Sequence, residues 1–243
     1  QQDDDDFEKL ILEEFDLALR KFITKINETP VTNRVPVFTN VKDENGNYIY
    51  EHTKETIEVD SMDIVEYTLR IYNEGDIAGY AKEVKDNIPE GLEFLPEHET
   101  NKEYRWIMLD EDGNETTDVN KAKYITTDYL SKEQEKTQGS NLIQPFDSTR
   151  TSPDFKEVKV AFRVSASNTY TGIITNTAEI SDDSDENGND IDDRDSTPDN
   201  NNPKEDDIDV EHVKLSYFDL ALRKFITAVN DKELVDENGK YIR

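Results

Sequence analysis

The sequence predicts an all-β protein, and the arrangement that we expect is an antiparallel β-sandwich. Apolar and polar residues alternate with the period of two that a half-buried strand requires in four segments, at 64–72, 124–130, 157–166 and 172–181. These segments are rich in Val, Ile, Thr and Tyr, and turn sequences such as DENG and DEDGN lie between strand-like segments. Several short strands with turn-rich connections favour two packed sheets.

The composition limits the classes of partner. Among 243 residues, 57 are acidic and 28 are basic, which gives a formal net charge of −29. Such a surface repels nucleic acid and anionic membranes and attracts divalent cations and basic partners, so we expect no nucleic-acid partner. The chain has no cysteine, which excludes a disulfide framework, a thiolate zinc site and a cysteine nucleophile. No apolar run approaches the length of a membrane span, so we expect no membrane insertion in this fragment.

A long repeat predicts the domain organisation. The decapeptide FDLALRKFIT stands at 15–24 and again at 218–227, and DENGNYI at 43–49 returns as DENGKYI at 236–242. This interval is too long for a solenoid and suits whole domains in tandem, so we expect a piece of a longer array. The predicted parts are an acidic linker from a preceding repeat at 1–6, a β-sandwich domain at 7–181 with an inserted loop region at 96–156, an acidic Asp/Asn-rich linker at 182–210, and the incomplete first strands of the next repeat at 211–243.

The segment around the first decapeptide fits two kinds of element. As a helix it would place five apolar residues on one face: Leu12, Phe15, Leu19, Phe22 and Ile26. As a strand it would place Lys21 on the same face as Leu17 and Leu19. Periodicity alone does not separate the two.

In the strand interpretation, three polar residues point inward from otherwise apolar stripes: Lys21, Asp63 and Asn176. Each would cost several kcal/mol if buried without a partner. Together they predict a chemical reaction, in which a neutral lysine amine attacks the asparagine carboxamide, the acid transfers protons, and ammonia leaves. The alternatives are a lysine that extends to solvent, an aspartate in a turn and an asparagine on an edge strand.

Four stretches carry a family resemblance: FDLALRKFIT, DIVEYTLRIYNEGD, DNIPEGLEF and ITNTAEI. Together they resemble the isopeptide-forming domains of Gram-positive fimbrial and cell-surface adhesin repeat proteins, which are immunoglobulin-like, collagen-adhesin-like β-sandwiches, and the resemblance covers most of 15–181. It implies that Lys21 on the first strand is joined to Asn176 on the last strand with help from an acid. Asp63 is the preferred acid because Asp16 and Glu66 point outward by parity.

The second copy of the decapeptide contains Lys224, which would begin the next domain. We expect Lys224 to be unreacted, because the matching asparagine strand would lie beyond this sequence. A swapped bond between Lys224 and Asn176 is the alternative, and it would leave Lys21 without a partner.

These observations predict an extracellular structural stalk domain of a bacterial surface protein. Its parent would be a protein anchored to the cell wall or a fimbria, and its partners would be neighbouring repeats of the same chain. The bond forms once, without turnover, so we expect no enzyme. The alternative is an adhesive domain that grips a host or other extracellular ligand with the 96–156 insert, which carries the lone Trp106.

The acidic linker contains a candidate metal site. Asp183, Asp185 and Asn187 precede Gly188 in D-x-D-x-N-G spacing, and Asp190 follows. This spacing gathers oxygen ligands for Ca²⁺, but the twelfth position is Arg194, where an EF-hand needs a bidentate Glu. We therefore compare it with the aspartate-rich calcium linkers of extracellular repeats, against the alternative of a solvated spacer. No cofactor is required for the predicted bond.

Overall fold

A computed structural model describes residues 12–44, 46–147, 149–165, 172–216 and 221–241. It is nearly all β, which confirms the predicted fold class. The strands are β1 Leu17–Ile26, β2 Thr29–Pro30, β3 Val37–Lys42, β4 Tyr48–Glu51, β5 Ile57–Val59, β6 Ile64–Asn73, β7 Gly79–Asn87, β8 Leu92–Phe94, β9 Ile107–Leu109, β10 Glu115–Thr116, β11 Tyr124–Thr127, β12 Asp154–Val164, β13 Ile173–Asp185, β14 Ile208–Leu215, β15 Ala228–Val229 and β16 Lys232–Glu233.

The strands form two main sheets. One has five strands in the order β2-β1-β6-β12-β8, and the other has seven in the order β10-β9-β11-β7-β13-β14-β5. All pairings are antiparallel except that of β14 with β5. Two further hairpins, β3–β4 and β15–β16, lie outside these sheets.

Helices are short. The α-helices are α1 Glu99–Glu103 and α2 Glu135–Gln138, and a 3₁₀ turn spans Lys132–Gln134. In the part of the chain that the structure describes, no helix has the length and apolar character needed to cross a bilayer.

The core lies between the two sheets. Inward-facing side chains from β1, β6 and β12 meet side chains from β7, β13 and β14 in one apolar cluster, which includes Leu19, Leu69, Val160, Val84, Ile174 and Val213. This packing gives each strand the buried face that its alternation predicts.

The first decapeptide is a strand. β1 pairs with β6 along its whole length, with Leu19 opposite Ile71 and Lys21 opposite Leu69. Because residues on both faces of β1 are buried between Leu17 and Ile23, apart from the partly exposed Arg20, its apolar residues also satisfy a helical pattern. Burial on two faces therefore explains why periodicity did not separate strand from helix.

The predicted insert at 96–156 is largely part of the fold. It supplies β9, β10 and β11, which extend the seven-stranded sheet beyond β7. Trp106 is buried, and its indole N–H donates to the carbonyl oxygen of Lys159 at 2.7 Å. This aromatic ring is therefore a packing residue of the sandwich.

The predicted boundaries at 181 and 210 need correction. β13 continues to Asp185, and β14, which straddles the predicted linker end, pairs with β13 from Ile173–Lys214 to Glu179–Ile208. The acidic segment between them also packs on the domain, since the Leu17 N–H donates to Asp193 and the Leu19 N–H donates to the Asp206 carbonyl oxygen. High charge predicted a solvated linker, but these contacts make it a covering segment of the sandwich. The predicted linker at 1–6 lies outside the described residues.

Candidate functional site

Lys21 is held inside the sandwich by β1. Its side chain is fully buried and shares the inward face with Leu17 and Leu19. Side chains complete the hydrogen bonding on the free edge of β1, because the Lys21 N–H donates to Asp209 at 2.7 Å and the Lys54 ammonium donates to the Lys21 carbonyl oxygen at 2.6 Å. The backbone that carries the lysine is therefore fixed on both edges.

Asp86 is the acid that meets Lys21. It lies near the end of β7, opposite Ala178 of β13, and it is fully buried. One carboxylate oxygen accepts a short hydrogen bond from the Lys21 ammonium, and the other accepts one from the Asn176 side-chain amide at 2.6 Å. A single carboxylate thus connects the amine of the five-stranded sheet with the carboxamide of the seven-stranded sheet.

Asn176 points inward from β13, as the alternation of that strand predicts. It is fully buried between Ile174 and Ala178 on the same face. Its amide nitrogen also lies within hydrogen-bond distance of the Asn87 backbone and side-chain oxygens, at 2.8 and 3.1 Å. Among the described residues its Oδ1 has no hydrogen-bond partner, so the amide is anchored through its nitrogen alone.

Burial favours the uncharged forms of both groups. It lowers the pKa of Lys21 below the usual lysine value, and the nearby Asp86 carboxylate opposes this shift. It raises the pKa of Asp86, against the opposing effect of the Lys21 charge. A neutral amine beside a protonated acid holds the same number of protons as the ion pair, so one internal proton transfer connects the two states.

The surroundings exclude water from this pair. The ring centroid of the fully buried Tyr67 lies 5.0 Å from the Lys21 Nζ. The buried ion pair between Arg34 and Glu211 lies on the same face of the seven-stranded sheet as Asn176, because Glu211 stands directly opposite Asn176 in the β13–β14 register. The site is therefore dry, which is the condition that strengthens electrostatic effects inside it.

The structure does not place Asp63 with Lys21 and Asn176. Lys21 is opposite Leu69, and Asp63 lies six residues earlier, about 20 Å away along an extended strand. Asp63 instead accepts hydrogen bonds from the Asn27 amide and the Asp60 N–H, both at 2.8 Å. The alternation of side chains along a strand predicts which face of the sheet a residue is on, and it placed Asp63 on the inward face. It does not predict how far along the strand that residue lies from Lys21.

The other two acids considered are also engaged elsewhere. Glu66 accepts from the Thr100 hydroxyl at 3.0 Å, and Asp16 forms an ion pair with Arg194 at 2.5 Å. Asp16 points away from Lys21, as parity indicates, but it is fully buried because the 193–206 segment covers it.

A sequence signal for Asp86 existed. Asp86 opens the DNIPEGLEF stretch and alternates with Val84, which is buried on the same face. The charged residues Lys82, Glu83 and Lys85 obscure this alternation, because the outer part of β7 is half-exposed. Only the pairing of β7 with β13 identifies Asp86 as the neighbour of Asn176.

The candidate calcium residues form a turn. The Asp185 carboxylate accepts from the Asn187 and Asn189 N–H groups at 2.8 and 2.9 Å, Asp183 is buried on β13, and Asp190 contacts the Lys82 ammonium at 3.1 Å. The turn with Asp at the first position and Gly at the fourth recurs at 43–47, 110–114 and 236–240 with the same backbone bonds. Within the described residues, Asp183, Asp185 and Asp190 do not bring ligand atoms together as three metal ligands must. The D-x-D-x-N-G spacing therefore encodes a turn.

In the second decapeptide copy, the structure describes 221–227. These residues are exposed, with Leu222 95% exposed, and none of them belongs to a strand. Lys224 is exposed in this segment. Lys21, and not the exposed Lys224, contacts the carboxylate that holds Asn176.

No protein-family model and no curated protein sequence matches this chain. Solved structures give weak similarities. A chain of a dockerin–cohesin complex is 14% identical with a TM-score of 0.31, over 66% of this chain and 95% of that chain. The major pilin subunit BcpA of Bacillus cereus is 13% identical with a TM-score of 0.27, over 73% of this chain and 46% of that chain. A variant of the same pilin is 12% identical with a TM-score of 0.26, over 89% and 63% of the two chains. Similarity at this level carries no argument about function.

Proposed function

We propose that this chain is a structural domain of a bacterial surface or fimbrial protein, stabilised by a self-formed isopeptide bond between Lys21 and Asn176. The observation that carries the proposal is the Asp86 carboxylate, which hydrogen-bonds the Lys21 amine with one oxygen and the Asn176 amide nitrogen with the other. All three side chains are fully buried. The resemblance of the strand motifs to the isopeptide-forming domains of Gram-positive fimbrial and cell-surface adhesin repeat proteins supports the same assignment.

The contacts suggest a route for each proton. Asp86 accepts a proton from the Lys21 ammonium, and the neutral amine then attacks Cγ of Asn176. Asp86 next delivers that proton to the amide nitrogen that it already contacts, the Cγ–Nδ2 bond breaks, and ammonia leaves. The attacking Lys21 nitrogen still carries two hydrogens after it has bonded to Cγ, and it passes one of them to the Asp86 carboxylate. The product is a neutral secondary amide between Lys21 and Asn176, and Asp86 remains as an uncharged acid beside it.

The bond would join the two sheets covalently. β1 belongs to the five-stranded sheet and β13 to the seven-stranded sheet, and the two residues are 155 positions apart in sequence. By the chain-entropy argument used for disulfides, a closed loop of that length stabilises by about 5 kcal/mol. Tension that enters through the first strand would pass to the last strand through the bond. This mechanical effect suits a stalk.

The placement of the 96–156 insert favours a stalk over the adhesive alternative. The 96–156 insert extends a sheet, and its tryptophan is buried in the core. Ligand binding by this insert remains a prediction that a binding screen with and without it would test.

The test is the intact mass of the denatured chain. We expect the wild-type chain to be lighter than its sequence by one ammonia, about 17 Da, because ammonia is the leaving group. Lys21→Ala and Asp86→Ala should each restore the full mass. Asp63→Ala is the matched control, since this acid lies in an exposed turn and should keep the deficit.

Peptide mapping would then identify the joined residues. A cross-linked peptide that contains Lys21 and Asn176 is the expected product. Full mass in the wild type, or an unchanged deficit in Lys21→Ala, would contradict the proposal.

A further inference from the structure

Three carboxylates converge at a second place, away from Lys21. Asp16 stands just before β1, and Asp195 and Asp206 belong to the acidic segment between β13 and β14. One oxygen from each lies within 4.8 Å of the others, and no other acidic or histidine group of three does so among the described residues. The acidic segment between β13 and β14 therefore places two carboxylates, those of Asp195 and Asp206, beside the start of β1.

These carboxylates lack the partners that burial demands. Asp16 is fully buried, Asp206 is 7% exposed, and both oxygens of Asp206 have no hydrogen-bond partner in the described part of the protein. The same holds for Oδ1 of Asp16 and Oδ1 of Asp195. A buried carboxylate without partners costs several kcal/mol, so the free oxygens indicate a missing positive charge between them.

The neighbouring charges do not supply that charge. Arg194 contacts Asp16 at 2.5 Å and Asp195 at 2.7 Å, and Arg20 donates to the Asp206 backbone oxygen at 3.1 Å. The buried Glu74 adds a fourth carboxylate and Asp193 a fifth, and the charges of both act on Asp16. Five carboxylates against two guanidinium groups leave three negative charges when all are ionised. One divalent cation would offset two of them.

We propose that Asp16, Asp195 and Asp206 bind one Ca²⁺ ion, which fastens the acidic covering segment to the start of β1. Calcium–oxygen distances are about 2.3–2.6 Å, so two oxygens on opposite sides of the ion lie about 4.8 Å apart. Ca²⁺ accepts several carboxylates in irregular geometry, whereas Mg²⁺ requires near-octahedral geometry and keeps much of its water. The ligands are oxygen only, which disfavours zinc.

The site has a structural role that is independent of the isopeptide bond. Without the ion, Asp16 and Asp206 are buried carboxylates with oxygens that have no hydrogen-bond partner among the described residues. With the ion, both are held ionised, and the 193–206 segment is tied to β1 by metal–oxygen bonds in addition to its backbone contacts.

The test is calcium binding by the full chain after removal of metal with EDTA. Isothermal titration with CaCl₂ should show one ion per chain, and the unfolding temperature should rise with CaCl₂ concentration because the ion binds only the folded state. Asp195→Asn and Asp206→Asn should each lose both responses.

Two matched variants keep the test specific. Asp207→Asn removes a neighbouring buried acid that also lacks partners but lies outside the cluster. Asp185→Asn removes the acid of the D-x-D-x-N-G turn. Both should keep the calcium response.

Three results would overturn the proposal. They are the absence of binding and of any shift at millimolar CaCl₂, a response that survives in Asp195→Asn, and an equal response to MgCl₂. If Asp206→Asn fails to fold, as circular dichroism would show, Asp195→Asn decides alone, because its side chain is 26% exposed and tolerates the change.

Discussion

The ten residues at 15–24 and the ten at 218–227 have the same sequence and opposite environments. In the first copy, residues from Leu17 onward form a strand, and Lys21 is fully buried against Asp86. In the described part of the second copy, 221–227, every residue is exposed and none is in a strand. Identical local propensity therefore gives a core strand in one place and an exposed segment in the other.

The difference shows what the decapeptide needs from elsewhere. The first copy is paired with β6 along its length, and Asp86 and Asn176 receive its lysine. Those partners come from positions about 50 to 155 residues later in the chain. Strand propensity reflects packing against such partners, so the sequence of the segment alone does not determine its state.

Local features behave differently, because both copies keep them. The turn after each copy places an asparagine in the left-handed region, Asn27 with φ 51° and Asn230 with φ 50°. Both turns join a two-residue ladder, β1 with β2 and β15 with β16. The Asp-Gly turns at 43–47 and 236–240 also share their backbone bonds. Short-range structure thus follows the short-range sequence.

Protease sensitivity should show the largest contrast between the copies. Trypsin cleaves after arginine, and Arg20 and Arg223 occupy the same place in the decapeptide. Cleavage at Arg20 requires β1 to leave the sheet, whereas Arg223 is exposed. With a global stability of at least about 5 kcal/mol, we expect cleavage after Arg223 to be roughly a thousandfold faster or more. Mass spectrometry of timed digests measures both rates.

A chain denatured before digestion provides the control, since both bonds should then be cut at comparable rates. Comparable rates in the folded chain would contradict the burial of β1.

We expect the next largest difference between the copies in the free energy of unfolding, when each of the two lysines is replaced. Lys21→Ala should lower the free energy of unfolding by about 5 kcal/mol through loss of the proposed cross-link, and the uncompensated buried Asp86 should add to that loss. Lys224→Ala should leave it within about 0.5 kcal/mol, as for other exposed positions. Thermal and denaturant unfolding of both variants measure the difference.

Lys21→Met refines this experiment, because it keeps most of the side-chain volume and removes only the amine. A stability close to that of the wild type in Lys21→Met would show that no cross-link stabilises the domain.

Much of the site was predictable from the sequence, and the missing part has a physical cause. Alternation identified Asn176 and, once a strand was assumed, Lys21, because each stands in an apolar stripe. Asp86 was missed because β7 is half-exposed and its charges hide the alternation. Asp86 becomes the acid of the site because β7 pairs with β13. The order of strands in a sheet depends on contacts between residues that are far apart in sequence.

Segment 182–210 shows that charge composition also fails to predict contacts between distant parts of the chain. Its composition predicts a solvated linker, yet Asp206 and Asp207 are buried and β14 closes onto β13. Composition reports the average preference of a segment, whereas the pairing of β14 with β13 and β5 draws the adjoining acids into the fold. The buried acids that result are the basis for the proposed ion site.

The smallest expected effect tests the local features that the two copies share. Asn27 holds a left-handed backbone conformation, donates to Asp63 at 2.8 Å and accepts from the Ile64 N–H at 2.9 Å. Asn27→Ala should therefore cost about 1–2 kcal/mol in the free energy of unfolding, from strain and lost hydrogen bonds. Asn230→Ala makes the same change in a hairpin outside the two main sheets and should not alter global unfolding measurably. Equal losses in the two variants, measured by urea unfolding, would mean that the second copy folds cooperatively with the domain and would remove the contrast between the copies.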